Sequence, residues 1–178
     1  MLSILFPGSD ILRGMADATN DPIDRLVAQW RRERPDLDVA PMAVLARLFR
    51  AARIADRAVE TGLAAHGLQP GWFDLLSALR RSGPAYRLTP GQLSSSLMLS
   101  TGGMTKRLDR MTEAGLVERL PDPTDRRGAL IALTARGRRA IDAAVTDHVA
   151  NEARLLQGLT KAERRQLDTL LRKLEPPA

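Results

Sequence analysis

Apolar and polar positions repeat with a helical period from about residue 21, change to the two-residue period of strands after residue 115, and return to the helical period at residue 134. Residues 1–20 keep no period, contain Gly8 and Gly14, and read as a flexible leader in which Met15 is an alternative start. Asp21-Pro22-Ile23-Asp24 opens a first helix. The Asp21 carboxylate caps free N–H groups, and proline at the first helical position lacks only an N–H that would find no partner. The stripe Ile23, Leu26, Val27, Trp30 has the i, i+3, i+4, i+7 spacing of one buried face, up to about Glu33 and before Pro35. A long helix is predicted from Asp38 to Ala65, carrying Val44, Leu45, Leu48, Phe49, Ile54, Val59 and Leu63, and His66-Gly67 ends it. Gln69-Pro70-Gly71 starts the next, from Trp72 to about Arg81, which Ser82-Gly83-Pro84 breaks.

Thr89-Pro90-Gly91-Gln92 is a further start, the threonine capping N–H groups while the glutamine reaches back; this helix ends near Leu97. Ser100 caps another, Thr101 to Ala114, and Gly115 supplies the left-handed residue at its end. Two such helices joined by a few residues make a helix-turn-helix. Leu116–Leu120 and Gly128–Leu133 read as short strands joined by residues 121–127, a hairpin with a basic tip, or wing. Helix resumes at Thr134 and runs to about Gly158, with Ile141, Val145, His148, Leu155 and Leu156 on related faces. Thr160-Lys161-Ala162-Glu163 is a capping box opening a last helix striped with Leu167, Leu170, Leu171 and Leu174.

The predicted fold class is therefore mainly α with a small β-hairpin wing. Residues 21–178 form a single domain, with the winged helix-turn-helix at 70–134. The terminal helices at 21–66 and 135–178 carry apolar stripes that so small a central module cannot cover, and they are expected to form a dimerisation region.

On the helix from Thr101, Met104, Leu108 and Met111 fall on one side and define its buried face. Gly102, Lys106 and Arg110 lie opposite, small residues first and long cations after, as suits an edge entering a DNA groove. Asp109 and Glu113 share that side and restrict contact to the first turns. Arg107 falls beside the apolar stripe, where a guanidinium needs either a partner or a wet pocket, or snorkels to the surface.

Charge sharpens this picture. The chain carries 27 Lys and Arg against 21 Asp and Glu, a net charge of +6. Residues 80–139 alone hold 12 basic and 5 acidic side chains, so the whole excess sits in the centre and the flanks are about neutral. A central basic block is what phosphate contact requires, although a solvated basic surface has the same composition. With no cysteine, disulfides, thiolate zinc sites and cysteine nucleophiles are excluded, and a reducing cytoplasm fits. The two histidines, His66 and His148, are far apart, and neither metal ligation nor catalysis is expected of them. No phosphate-binding Gly-rich loop with Lys, no His-Glu-x-x-His helix and no nucleophile elbow occurs, so no enzyme is expected. No run reaches the roughly 18 apolar residues of a membrane span.

Leu88-Thr89-Pro90-Gly91-Gln92-Leu93, the segment from Ser100 to Arg119, and Asp122-Pro123-Thr124-Asp125-Arg126-Arg127-Gly128 followed by Leu133-Thr134 together resemble the MarR family of transcriptional regulators. The resemblance covers the whole winged helix and implies a homodimer on double-stranded DNA. Each subunit would lay its recognition helix in the major groove of a palindromic half-site while the wing reaches the adjacent minor groove. Asp125 and Arg127 belong to the motif that shapes the wing and offers an arginine to that groove. The DNA-binding residues expected on this basis are Ser100, Thr101, Gly102, Thr105, Lys106, Arg110, Arg126 and Arg127.

A narrower likeness is to the subgroup of this family that responds to urate, whose members carry an extra N-terminal helix with a tryptophan, an aspartate before the winged region, and two arginines. The matching positions here are Trp30, Asp74, Arg107 and Arg119. Urate is a flat anion that hydrogen-bonds, so a stacking indole, guanidinium groups and a carboxylate acceptor suit it. Each residue also has a plain reading: Trp30 as core, Asp74 as a solvated helix acid, Arg119 as a phosphate contact or an ion-pair partner. The expected function is a cytoplasmic repressor released from its operator by a small-molecule effector, urate. A phenolic or other aromatic acid, or an antibiotic, is the alternative effector on the same fold, and a winged helix used only for protein contacts is the alternative to DNA binding. No cofactor and no membrane partner are expected.

Overall fold

Capping decides where most elements begin, and the computed structural model, which describes residues 21–97, 101–125 and 128–174, follows those signals closely. The described residues form α1 (Pro22–Glu33), α2 (Ala40–Ala64), α3 (Pro70–Arg81), β1 (Arg87–Leu88), α4 (Pro90–Leu97), α5 (Thr101–Glu113), β2 (Val117–Pro121), β3 (Ala129–Leu133), α6 (Ala135–Leu155) and α7 (Lys161–Arg172). Asp21 accepts a hydrogen bond from the Ile23 amide at 3.0 Å. Asp38 does the same for Ala40 at 3.0 Å, so α2 starts two residues later than its apolar pattern suggests. The Thr160–Glu163 capping box is complete in both directions. Gly67 and Gly115 take φ of +66° after α2 and α5, a conformation that costs glycine little. The sixth helix stops at Leu155 instead of Gly158, because the chain turns there to reach the Thr160 cap.

The chain divides into two compact units, one ending at Arg53 and one beginning at Ile54, so the division falls inside α2. In the first, Ile23, Val27 and Val39 form a small buried cluster with Ala43 and Ala46 packed against it. Arg47 donates to Asp21 at 2.8 Å and to Asp24 at 2.7 Å, which fastens α2 to the start of α1. These pairs are exposed and add little stability. Trp30 departs from its stripe: it is 42% exposed, because the small residues of α2 cover α1 only around Ile23 and Val27.

In the second unit α3 is the central helix, buried without a break from Leu75 to Leu79. Around it pack Leu63, Leu68, Leu93, Met104, Leu108, Met111, Leu116, Val117, Ile131 and Ile141. The sheet has order β1-β3-β2, with both pairings antiparallel. Its third strand, Arg87–Leu88, is absent from the predicted elements because two residues carry no period; it exists through pairing with Ile131 and Ala132.

Two junctions fix the foot of α6 to this sheet. Thr134 caps α6 by accepting from the Gly137 amide at 2.9 Å, and its hydroxyl donates to the Gly115 carbonyl at 2.7 Å. Gly137 is buried against the Leu116 carbonyl, leaving no room for a Cβ. Beside it Tyr86, held at φ +48°, has the guanidinium groups of Arg80 and Arg138 each 4.9 Å from its ring centre. Asp142 accepts from Arg80 Nε at 2.6 Å and lies 3.8 Å from Arg138 Nε. That cluster joins the end of α3, the turn before β1 and the first turns of α6. No helix among the described residues is long and apolar enough to cross a membrane.

Candidate nucleic-acid interface and ligand site

Helix α5 has the two faces expected of it. Met104, Leu108 and Met111 are 2%, 1% and 0% exposed, and anchor the helix on α3 and α4. Thr105, Lys106 and Arg110 are exposed on the other side. Thr101 and Gly102 form the first turn of α5, while Ser100, Arg126 and Arg127 lie outside the described residues. The neighbouring wing is a built turn. Asp122 accepts from the Thr124 amide at 2.8 Å and from its hydroxyl at 2.7 Å, and the Gly128 amide donates to the Asp125 carbonyl at 2.9 Å. These bonds, the Thr124 hydroxyl first, hold the Asp122 carboxyl below its ordinary range.

Arg119 sits on β2 and donates to Asp109 on α5 at 2.7 Å, with both side chains exposed. This pair was not legible from spacing, and it changes the electrostatics of the interface. Asp109, exposed on α5 like Lys106 and Arg110, is neutralised by a cation that the resemblance assigns to the effector.

Arg107 leaves the same helix on a different side and reaches α3. Its guanidinium lies against Gly71, where an added Cβ would stand 2.7 Å from Cζ and 2.8 Å from Nη1. Gln69, the residue that caps α3, contributes no side-chain hydrogen bond there. The Trp72 and Phe73 amides donate to the Gln69 carbonyl at 2.9 and 3.0 Å, so the guanidinium meets the positive end of the helix dipole with no side-chain carboxylate beside it. Among the described residues, Arg107 has no carboxylate partner. Asp74 is exposed, three residues beyond Gly71 and so on the neighbouring part of the α3 surface. One turn further, the Ser77 hydroxyl is buried with no hydrogen-bond partner among the described residues.

The structure therefore brings Arg107 to α3 one turn from Asp74, and gives Arg119 to Asp109. Trp30 belongs to the first unit, where it offers an exposed indole. No group of three or more histidine, cysteine, aspartate or glutamate side chains among the described residues is arranged to hold a metal.

Residues 66–128 match the MarR family. Over 153 residues the chain is 39% identical to the HTH-type transcriptional regulator PecS of Dickeya dadantii, covering 86% of this chain and 92% of that protein. It is 34% identical over 123 residues to the multiple antibiotic resistance protein MarR of Escherichia coli, covering 68% of this chain and 83% of that one. A crystal structure of a cysteine-to-serine mutant of MarR from E. coli, complexed with operator DNA, superposes with a TM-score of 0.67 at 29% identity, covering 78% of this chain and 98% of that one.

Proposed function

The chain belongs to the MarR family of DNA-binding transcriptional regulators, and from that premise we propose that it is a homodimeric cytoplasmic repressor released from a palindromic operator by urate. The observation that carries the effector half of this proposal is the Arg107 guanidinium on Gly71. One residue of the DNA-reading helix is there committed to the start of α3, where its guanidinium attracts a planar anion one turn from Asp74. Arg107 then couples the two events. An anion that holds its guanidinium in a new position tilts α5, and by linkage a ligand favouring that tilt weakens the complex with DNA. Asp74 accepts the N–H groups of the ligand, and Arg119 contributes a second cation on leaving Asp109. Resemblance to a relative named PecS supports urate over other flat anions.

Thr105, Lys106 and Arg110 read the major groove together with Ser100, Thr101 and Gly102, and Arg126 and Arg127 on the wing reach the minor groove. Dimerisation is supported by apolar side chains left exposed on the last two helices: Val145, Val149, Leu155 and Leu156 on and just after α6, and Leu167, Leu170 and Leu171 on α7. A surface of this kind is expected to be covered by a second copy.

The test is an electrophoretic shift on the protein's own upstream DNA, with urate titrated into the preformed complex at fixed salt. Urate releases the complex at concentrations where salicylate does not, and the variant carrying both Trp30→Phe and Arg107→Ala loses the response. Unchanged release in that variant sinks the four-residue site. A second effector class, an aromatic acid or an antibiotic, is favoured by the similarity to the multiple antibiotic resistance protein. Quenching of tryptophan fluorescence by such compounds, with no response to urate, would select it.

A further inference from the structure

Gly71 is an odd choice for its position. It stands second in α3, where glycine is a weaker helix former than alanine, and its φ is not in the left-handed range that would demand it. What it provides is room. A Cβ on Gly71 would come within 2.7 Å of Arg107 Cζ, 2.8 Å of Nη1 and 3.0 Å of Nη2, all three at the far end of a flexible side chain. An added methyl group is accommodated by swinging the guanidinium away and leaving the backbone of α3 and α5 where it is.

We propose that Gly71 is a positioning residue of the effector response: by presenting bare backbone it seats the Arg107 guanidinium on the first turn of α3. The inference rests on Arg107 being the effector's cation, as above, and adds a residue that acts through it. Gly71 has no part in reading DNA, since α3 is the central helix of the core and the groove-facing residues are on α5 and the wing. Seating has an electrostatic consequence. The positive charge is kept at the start of α3, one turn from Asp74, and one side-chain rotation takes it away.

The experiment compares wild type, Gly71→Ala, Arg107→Ala and the double variant in full-length protein. In Gly71→Ala, operator affinity without urate stays within about twofold of wild type, and the melting midpoint does not fall because alanine favours the helix. The urate concentration for half-release rises about tenfold or more, the scale of one lost charge-assisted hydrogen bond. Gly71→Ala adds nothing in the Arg107→Ala background, because its effect passes through that side chain. The Nε–H resonance of Arg107, assigned by its disappearance in Arg107→Ala, shifts in Gly71→Ala with no effector present.

An unmoved resonance overturns the inference, as does a urate response equal to wild type or an equal additional loss in the Arg107→Ala background. Failure of urate on wild type, with the resonance still displaced by Gly71→Ala, would instead strike the choice of effector and leave the seating intact.

Discussion

Gly137→Ala is expected to damage the protein even though alanine is the better helix former. The substitution gains about 1 kcal/mol of helix propensity. Against that, the new methyl group would collide with the Leu116 carbonyl, a backbone atom that no side-chain rotation can clear. That carbonyl accepts from the Thr134 amide at 3.2 Å and from the Thr134 hydroxyl at 3.2 Å, and the same hydroxyl caps the Gly137 amide at 2.9 Å. Moving it strains or breaks the two amide bonds, each worth about 1 kcal/mol, while the Thr134 hydroxyl keeps its shorter bond to the Gly115 carbonyl at 2.7 Å. The net cost is about 1 kcal/mol before any wider repacking, and for a chain of this length a melting midpoint lowered by about 2–4 °C. Scanning calorimetry on the variant measures it. Because Leu116 leads directly into β2, operator affinity should fall as well, by a larger factor than global unfolding at the assay temperature accounts for. A Gly137→Ala protein that melts at or above the wild-type temperature refutes the contact between α6 and the strand entry on which the estimate rests.

Operator binding should weaken linearly in log–log dependence on salt, and Arg127→Ala should reduce the slope by about 1, the signature of one lost phosphate contact; binding that ignores salt would remove the wing from the interface. Arg119→Ala leaves Asp109 unpaired on the groove-facing edge and is expected to weaken DNA binding about fivefold at low salt without any effector, by an interaction of about 1 kcal/mol at the surface. Adding Asp109→Asn should restore most of the loss in fluorescence anisotropy, and a double variant no better than the single one would show that the pair does not matter. Asp122, its folded carboxyl held below the usual 3.8 by the Thr124 hydroxyl and amide, orders the wing at every pH above that value and releases it only as the pH falls through the lowered one. Amide exchange at Thr124 follows this, and loss of protection already near neutral pH would contradict it.

Much of the architecture is legible because it rests on local rules. Asp21, Thr134 and Thr160 each sit beside the free N–H groups of a helix and cap them as their chemistry dictates. The Met104, Leu108, Met111 stripe describes a helix that must bury one side, and it does. What spacing does not contain is distance between segments. Strand β1 is made by its partner, not by its two residues. Arg119 and Asp109 are ten apart in sequence on different elements, and nothing local predicts a 2.7 Å pair between them. The approach of Arg107 to Gly71 is of the same kind: the wheel marks an arginine needing a destination, and only the folded chain names it. Trp30 shows the converse, a residue on an apolar stripe whose facing helix offers only small side chains nearer its start.

The foot of α6 has mechanical meaning. With Thr134 bonded to Gly115 just after α5 and the guanidinium groups of Arg80 and Arg138 against the Tyr86 ring, the wing sheet, α3 and the first turns of α6 are tied at one base. The 21 residues of α6, about 30 Å of helix, stay fastened to the same unit for most of their length: Phe73 packs on His148, His66 meets Asp147 at 2.9 Å, and the Asn151 side-chain amide donates to the Ala58 carbonyl at 2.9 Å. A tilt of the base therefore carries α6 and the end of α2 with it as one piece. In a two-fold assembly joined through the exposed apolar residues at the end of α6 and on α7, the separation of the two winged regions would then follow the angle between the subunits and not a bend within either one.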